Sequence, residues 1–302
     1  MSEPAIVLGV NQYGKAEVRV VKVTRDTHRH EIDDLNVTSQ LRGDFAAAHL
    51  AGDNAHVVAT DTQKNTIFAF ARDGIGSPEQ FLLRLADHFT SSFDWVSGGR
   101  WEAERYAWQR ILANGSPHDH AFVRSGQVVR TAVVVADGAE RHVLGGLHSL
   151  TVLKTTESGF EGFPRDRYTT LQETSDRILA TDVAARWRYD PAALGGLDFD
   201  AVYESVRMLL LEAFAEKYSA ALQTTLFDMG SRVLERHADI AEIRLSMPNK
   251  HHFVVDLGPF GLDNPNEVFF AADRPYGLIE ATVTRAGVAS PPAAWDGIAG
   301  FC

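Results

Sequence analysis

The chain has 302 residues and 45% hydrophobic content, enough for a substantial core and, by ordinary domain sizes, for two domains. Its formal charge of -11 at pH 7 argues against nucleic acid as a main partner, since binding a phosphate backbone needs a basic face. No uncharged apolar run reaches the ~18 residues of a spanning helix. The opening MSEPAIVLGVNQYGK also lacks the basic and apolar blocks of a secretory leader, so a cytoplasmic protein with no membrane partner is expected. The single cysteine, Cys302, excludes an internal disulfide and any cysteine-cluster zinc site, and its terminal position suits a nucleophile poorly.

Alternation from about Glu17 to Arg25 predicts a first strand, with Val18 and Val20 on one parity and Arg19 and Val21 on the other. A second strand is expected from about Glu31 to Leu41. Thr60-Asp61-Thr62-Gln63 has the form of a capping box with Thr60 as N-cap, predicting a helix that stops near Gly74. Ser77-Pro78-Glu79-Gln80 opens a further helix, with Leu82, Leu85, Ala86 and Phe89 on one face. Strands return over Trp101 to Leu112 and His120 to Val135, separated by the hairpin signal Asn114-Gly115.

After Asp137-Gly138 the order repeats. Extended segments run from Ser149 to Thr155 and from Ile178 to Tyr189. A helix covers Phe199 to Tyr218 and another follows Ser219, before strands at Ala241 to Leu257 and Val268 to Thr284. Strand, strand, helix, helix, strand, strand, written twice, predicts an α+β chain of two tandem domains, 1–138 and 139–302, each an antiparallel sheet with helices on one face. The tail from about Gly287 is rich in proline, glycine and alanine and is expected to be flexible, adding little to the core.

Familiar catalytic motifs are missing: there is no GxSxG elbow, Walker A loop or HExxH, and Gly74-Ile75-Gly76 has Glu79 where a dinucleotide loop needs its third glycine. His28 and His30, and likewise His118 and His120, share a strand face, but no acidic cluster completes a metal site at either pair, and exposed histidines are the favoured reading. Asn249 and His251 also share a face, so a carboxamide and an imidazole can meet one ligand. The start of the helix at Thr60 offers backbone N–H groups and positive dipole to an anion.

Six dispersed segments together resemble the urate oxidase (uricase) family. They are Tyr13-Gly14-Lys15; Val57-Val58-Ala59-Thr60-Asp61 with Lys64-Asn65-Thr66; Arg165 to Leu171; Asp176 to Val183; Leu222-Gln223-Thr224-Thr225; and Pro248-Asn249-Lys250-His251. The resemblance implies the tunnelling fold, two such domains per chain, four chains forming a barrel, and active sites between subunits. It also implies oxidation of urate by dioxygen and water to 5-hydroxyisourate and hydrogen peroxide, with no metal and no organic cofactor.

By this resemblance Arg177 and Gln223 grip opposite edges of the urate ring, Phe160 stacks on it, and Leu222 binds through its backbone N–H. Thr60 and Asp61 close the remaining edge from a neighbouring subunit, and Asn249 holds oxygen or water above the ring. Lys15, hydrogen-bonded to Thr60 and assisted by His251, forms a proton relay. A lysine that accepts a proton near neutrality must be held substantially neutral by burial or by neighbouring positive charge. The rival readings are another tunnelling-fold enzyme acting on a heterocycle such as a pterin, and a non-catalytic purine- or pterin-binding protein of the same architecture.

Overall fold

A computed structural model of the chain describes residues 6–298, 300 and 301, so Cys302 lies outside the described residues. The chain divides into two compact units. The first takes the described residues up to Gly145 with Pro191–Phe199 and Pro291–Ala294, and the second takes Gly146–Asp190, Asp200–Ser290 and the described residues from Trp295.

The first unit contains β1 (Tyr13–Thr24), β2 (Glu31–Gly43), α1 (Ala46–Ala51), α2 (Thr60–Asp73), α3 (Pro78–Ser92), β3 (Val96–Arg105), β4 (Trp108–Ala113), β5 (Ser116–Arg124) and β6 (Val129–Asp137). Its sheet runs β1-β2-β3-β6, antiparallel at each step. Strand β7 (Glu140–Lys154) begins in this unit and ends in the second, which adds β8 (Leu179–Tyr189), α4 (Phe199–Glu216, all but its first residue), α5 (Leu222–Arg236), β9 (Ile240–Val254) and β10 (Phe269–Thr284). The short α6 (Pro292–Trp295) has Pro292 to Ala294 in the first unit and Trp295 in the second. Here the sheet order is β7-β8-β9-β10. The doubled order expected from the sequence is thus formed, with α1 and the β4–β5 ribbon as additions.

Local chemistry accounts for the elements that matter most. In α3 the Ser77 hydroxyl accepts from the Gln80 N–H at 3.2 Å and the Gln80 side chain accepts from the Ser77 N–H, the reciprocal box its sequence predicts. Phe81, Leu82, Leu85, Ala86 and Phe89 are then fully buried, each large side chain contributing about 1.5–3 kcal/mol of transfer free energy. Asn114 and Gly115, both at positive φ, turn β4 into β5.

Four expectations need correction. Thr60 does not cap α2: the N-cap is Ala59, without a side-chain cap, because Gln63 turns inward to bond Ser39 Oγ at 3.0 Å instead of reaching back. The strands expected over 101–112 and 120–135 are each two strands. β3 and β6 have buried faces and join the sheet, whereas β4 and β5 are largely exposed and pair only with each other. β7 starts at Glu140, well before Ser149, since His142 to Leu147 is buried on both parities and offers no alternation to read.

The last correction concerns the tail, which does contribute to the core. Trp295 is buried and its indole N–H donates to Glu242 Oε1 at 3.1 Å, while Arg244 lies 3.8 Å from its ring centroid. Glu242, itself fully buried, also accepts from Arg188 Nε at 2.6 Å and Ser290 Oγ at 2.7 Å. Burial alone would raise its pKa, but these donors outweigh it and hold the carboxyl below its ordinary value. Among the described residues no helix is long and apolar enough to cross a membrane.

Candidate active site

The expected site residues fall into two clusters, one in each unit. In the first, Lys15 lies on β1 opposite Ser39 of β2, immediately before a bulge where Glu17 takes φ 55° and donates its N–H to Thr38 Oγ1 at 3.0 Å. A Cβ at Gly14 would collide with the Ser39 carbonyl, so the residue before Lys15 must be glycine for β1 and β2 to approach this closely. The start of α2 is tied to the same strands: the Tyr13 hydroxyl donates to the Val58 carbonyl at 3.1 Å, and Gln63 links that carbonyl to Ser39.

Released from capping, the half-buried Thr60 makes no side-chain hydrogen bond among the described residues, and in particular none to Lys15. Asp61 is different. Its carboxylate is held by Lys64 and, at 2.9 Å, by Asn65 Nδ2, both on its own helix. The Lys64 hydrogen bond and charge place its pKa below the ordinary value, and Lys15 adds a smaller pull in the same direction. Since that side chain is already engaged and the first N–H groups of a helix have no partner within it, main-chain N–H is what Asp61 has to offer a ligand.

The second cluster surrounds a cavity of about 680 Å³ within the second unit, whose walls include Phe160, Arg177, Asn249 and His251. Asn249 and His251 project together from β9, as their parity requires, while Lys250 turns away to Asp182 at 3.7 Å. Neither Asn249 nor His251 uses its side chain in a hydrogen bond among the described residues. Burial, then the nearby charges of Arg177 and His252, push the His251 pKa below its ordinary value, which favours a neutral imidazole.

Arg177 is the decisive residue electrostatically. It is partly buried, its Nε is enclosed without a partner, and no carboxylate pairs with its guanidinium among the described residues. Its guanidinium carbon lies 5.3 Å from the Phe160 ring centroid, and burial lowers its pKa. An unpaired, partly desolvated cation beside an aromatic face is costly to the fold and suited to a flat anion, which can accept two parallel hydrogen bonds from it.

Leu222 and Gln223 form the first turn of α5, which has no side-chain cap, so their N–H groups are also free. Leu222 is buried and Gln223 exposed, and neither is part of the cavity wall. The wall also includes Leu171, Thr174, Ile178 and Phe253, none of which was singled out in sequence. Leu171 and Ile178 do belong to two of the six segments, a signal that was available. Elsewhere, His118 and His120 pack edge to face at 4.5 Å, His30 lies 5.9 Å from His120, and no group of three or more potential ligands is arranged for a metal among the described residues.

The Uricase family model matches residues 11–135 and 143–280. A uricase of Arthrobacter globiformis is 66% identical over 98% of this chain and 96% of its own length. One of Dictyostelium discoideum is 37% identical over 91% and 96% respectively. The crystal structure of uricase from Arthrobacter globiformis superimposes with a TM-score of 0.91, covering 95% of this chain and 98% of that one. Matched along both units and nearly end to end, the chain belongs to the uricase family: it is an oxidoreductase that oxidises urate with molecular oxygen.

Proposed function

We propose that the two clusters are complementary parts of one active site, Lys15, Thr60 and Asp61 from one chain meeting Phe160, Arg177, Leu222, Gln223, Asn249 and His251 of another. The assembly is a homotetramer acting in the cytoplasm. The observation that carries this reading is the unpaired Arg177 beside Phe160 in a cavity also walled by Asn249 and His251.

In the proposed reaction urate, dioxygen and water give 5-hydroxyisourate and hydrogen peroxide. Ground-state dioxygen is a triplet, so direct two-electron attack on a singlet molecule is spin-forbidden, whereas deprotonated urate is electron-rich enough to give up one electron at a time. The protein's work is therefore to hold the anion and move protons, and no metal or organic cofactor is needed. Arg177 donates to one edge of the ring, and Gln223 with the Leu222 N–H serves another. Phe160 presents its π-face. Thr60 and the Asp61 N–H close the remaining edge, and Asn249 holds dioxygen or water over the ring. Lys15, Thr60 and the neutral His251 pass the proton, a contribution of about 10²–10⁴ in rate for a well-placed relay.

Mixing the protein with urate after exhaustive chelation tests the cofactor-free reading. Ultraviolet absorbance of urate and dissolved oxygen are expected to fall together at the undiminished rate. A loss of rate that added metal restores would contradict it.

A further inference from the structure

Phe160 and Arg177 are carried by irregular backbone, joined to its surroundings by two isolated bridges, Phe160 with Thr174 and Ser158 with Ser219. Orienting a ring and a guanidinium for one ligand requires placement to within about 0.5 Å, so something must fix these segments. Part of the answer is main-chain bonding. The Gly159 N–H donates to the Ser219 carbonyl at 2.9 Å, the Phe160 N–H to the Thr174 carbonyl at 2.7 Å, and the Arg177 N–H to the Ser158 carbonyl at 2.8 Å.

Within the turn between Thr174 and Arg177, the Thr174 hydroxyl donates to the Asp176 carbonyl at 2.7 Å and the Thr156 hydroxyl to Asp176 Oδ1 at 2.8 Å, while the Ser175 carbonyl accepts from the Tyr218 hydroxyl at 3.1 Å. The same phenol oxygen packs directly against Gly159, where an added Cβ would collide with it. One hydroxyl thus touches both segments, one residue before Phe160 and two before Arg177. The next residue, Ser219, shares a buried 2.6 Å hydrogen bond with Thr225 Oγ1 in the opening turns of α5, the helix that begins with Leu222 and Gln223. The Tyr218 residue itself is 48% exposed, so core packing does not explain why a tyrosine stands there.

We propose that Tyr218 is a positioning residue for urate binding, its hydroxyl clamping the Ser175 carbonyl against Gly159 and so fixing the Arg177 guanidinium relative to the Phe160 ring. The proposal rests on the assignment of Phe160 and Arg177 as urate-binding residues. It concerns binding rather than proton transfer, because Lys15, Thr60 and His251 lie on other elements.

Steady-state kinetics of Tyr218→Phe, Arg177→Gln and the double variant, with melting temperatures, provide the test. Tyr218→Phe keeps the ring and loses one hydrogen bond, so KM for urate is expected to rise about fivefold with kcat within about twofold and the melting temperature nearly unchanged. In the Arg177→Gln background the further rise should vanish, since the clamp would have no guanidinium left to orient. An unchanged KM in Tyr218→Phe alongside an impaired Arg177→Gln overturns the proposal, as does an equal rise in both backgrounds. An unchanged KM in Arg177→Gln itself would instead overturn the assignment of the site.

Discussion

Replacing Lys15 with methionine is expected to leave fold, assembly and urate binding in place while kcat falls by about a hundredfold or more. Methionine keeps most of the length and volume of lysine but has no amine. The side chain it replaces is half-buried, makes no hydrogen bond to Thr60, and follows the glycine that lets β1 and β2 close together. Among the described residues its amine makes no hydrogen bond or ion pair, and its charge is only the smallest of the pulls that lower the Asp61 pKa. A functional lysine beside a bulge fits the habit of bulges to re-aim side chains next to active sites. Equilibrium binding of urate and stopped-flow turnover separate the two effects; wild-type kcat in this variant would remove Lys15 from the relay.

Arg177→Gln acts at the other half and should show the opposite split. Two charge-assisted hydrogen bonds to an anion are lost, together about 3 kcal/mol and hence about a hundredfold in KM. Stability should not suffer. Arg177 has no carboxylate partner among the described residues, so removing it orphans no buried charge, and a partly desolvated cation is relieved. The contrast is Arg188, whose loss would take the 2.6 Å donor from the fully buried Glu242, leaving it Arg244 at 3.8 Å with Ser290 and Trp295, and cost about 3 kcal/mol. A melting temperature that falls sharply in Arg177→Gln would mean that the residue has a structural partner, and a KM that stays put would mean that urate is held elsewhere.

Features written in adjacent residues were legible from sequence. The box at Ser77–Gln80, the Asn114-Gly115 turn and the shared face of Asn249 and His251 each depend on spacing within a few positions, and each is formed. The doubled order of strands and helices could be read for the same reason. Features that depend on a distant partner could not. Thr60-Asp61-Thr62-Gln63 has the spacing of a cap, but Ser39, far away in sequence, draws Gln63 inward and leaves Thr60 uncommitted. Trp295 reads as part of a loose tail until Glu242 and Arg244 are seen around it. Tyr218 carries no motif at all, and its contacts lie with Gly159 and Ser175 on loops that periodicity does not describe. For the site, residue types and order supplied the candidates, while the isolation of Arg177 from any carboxylate is a property of the folded chain alone.

The sharing of each site between chains can be tested by complementation. Lys15→Met and Arg177→Gln are co-expressed, the mixed oligomers purified, and turnover read at urate near the wild-type KM, where Lys15→Met lacks kcat and Arg177→Gln, with its raised KM, is far from saturation. If Lys15 of one subunit serves the Arg177 cavity of another, hybrids contain sites that carry neither substitution. With random pairing and two reciprocal sites per pair, about a quarter of wild-type activity should return. If both residues serve the same chain's site, every site carries one substitution or the other. Activity would then stay at the level of the separate variants, and that result would contradict the shared site.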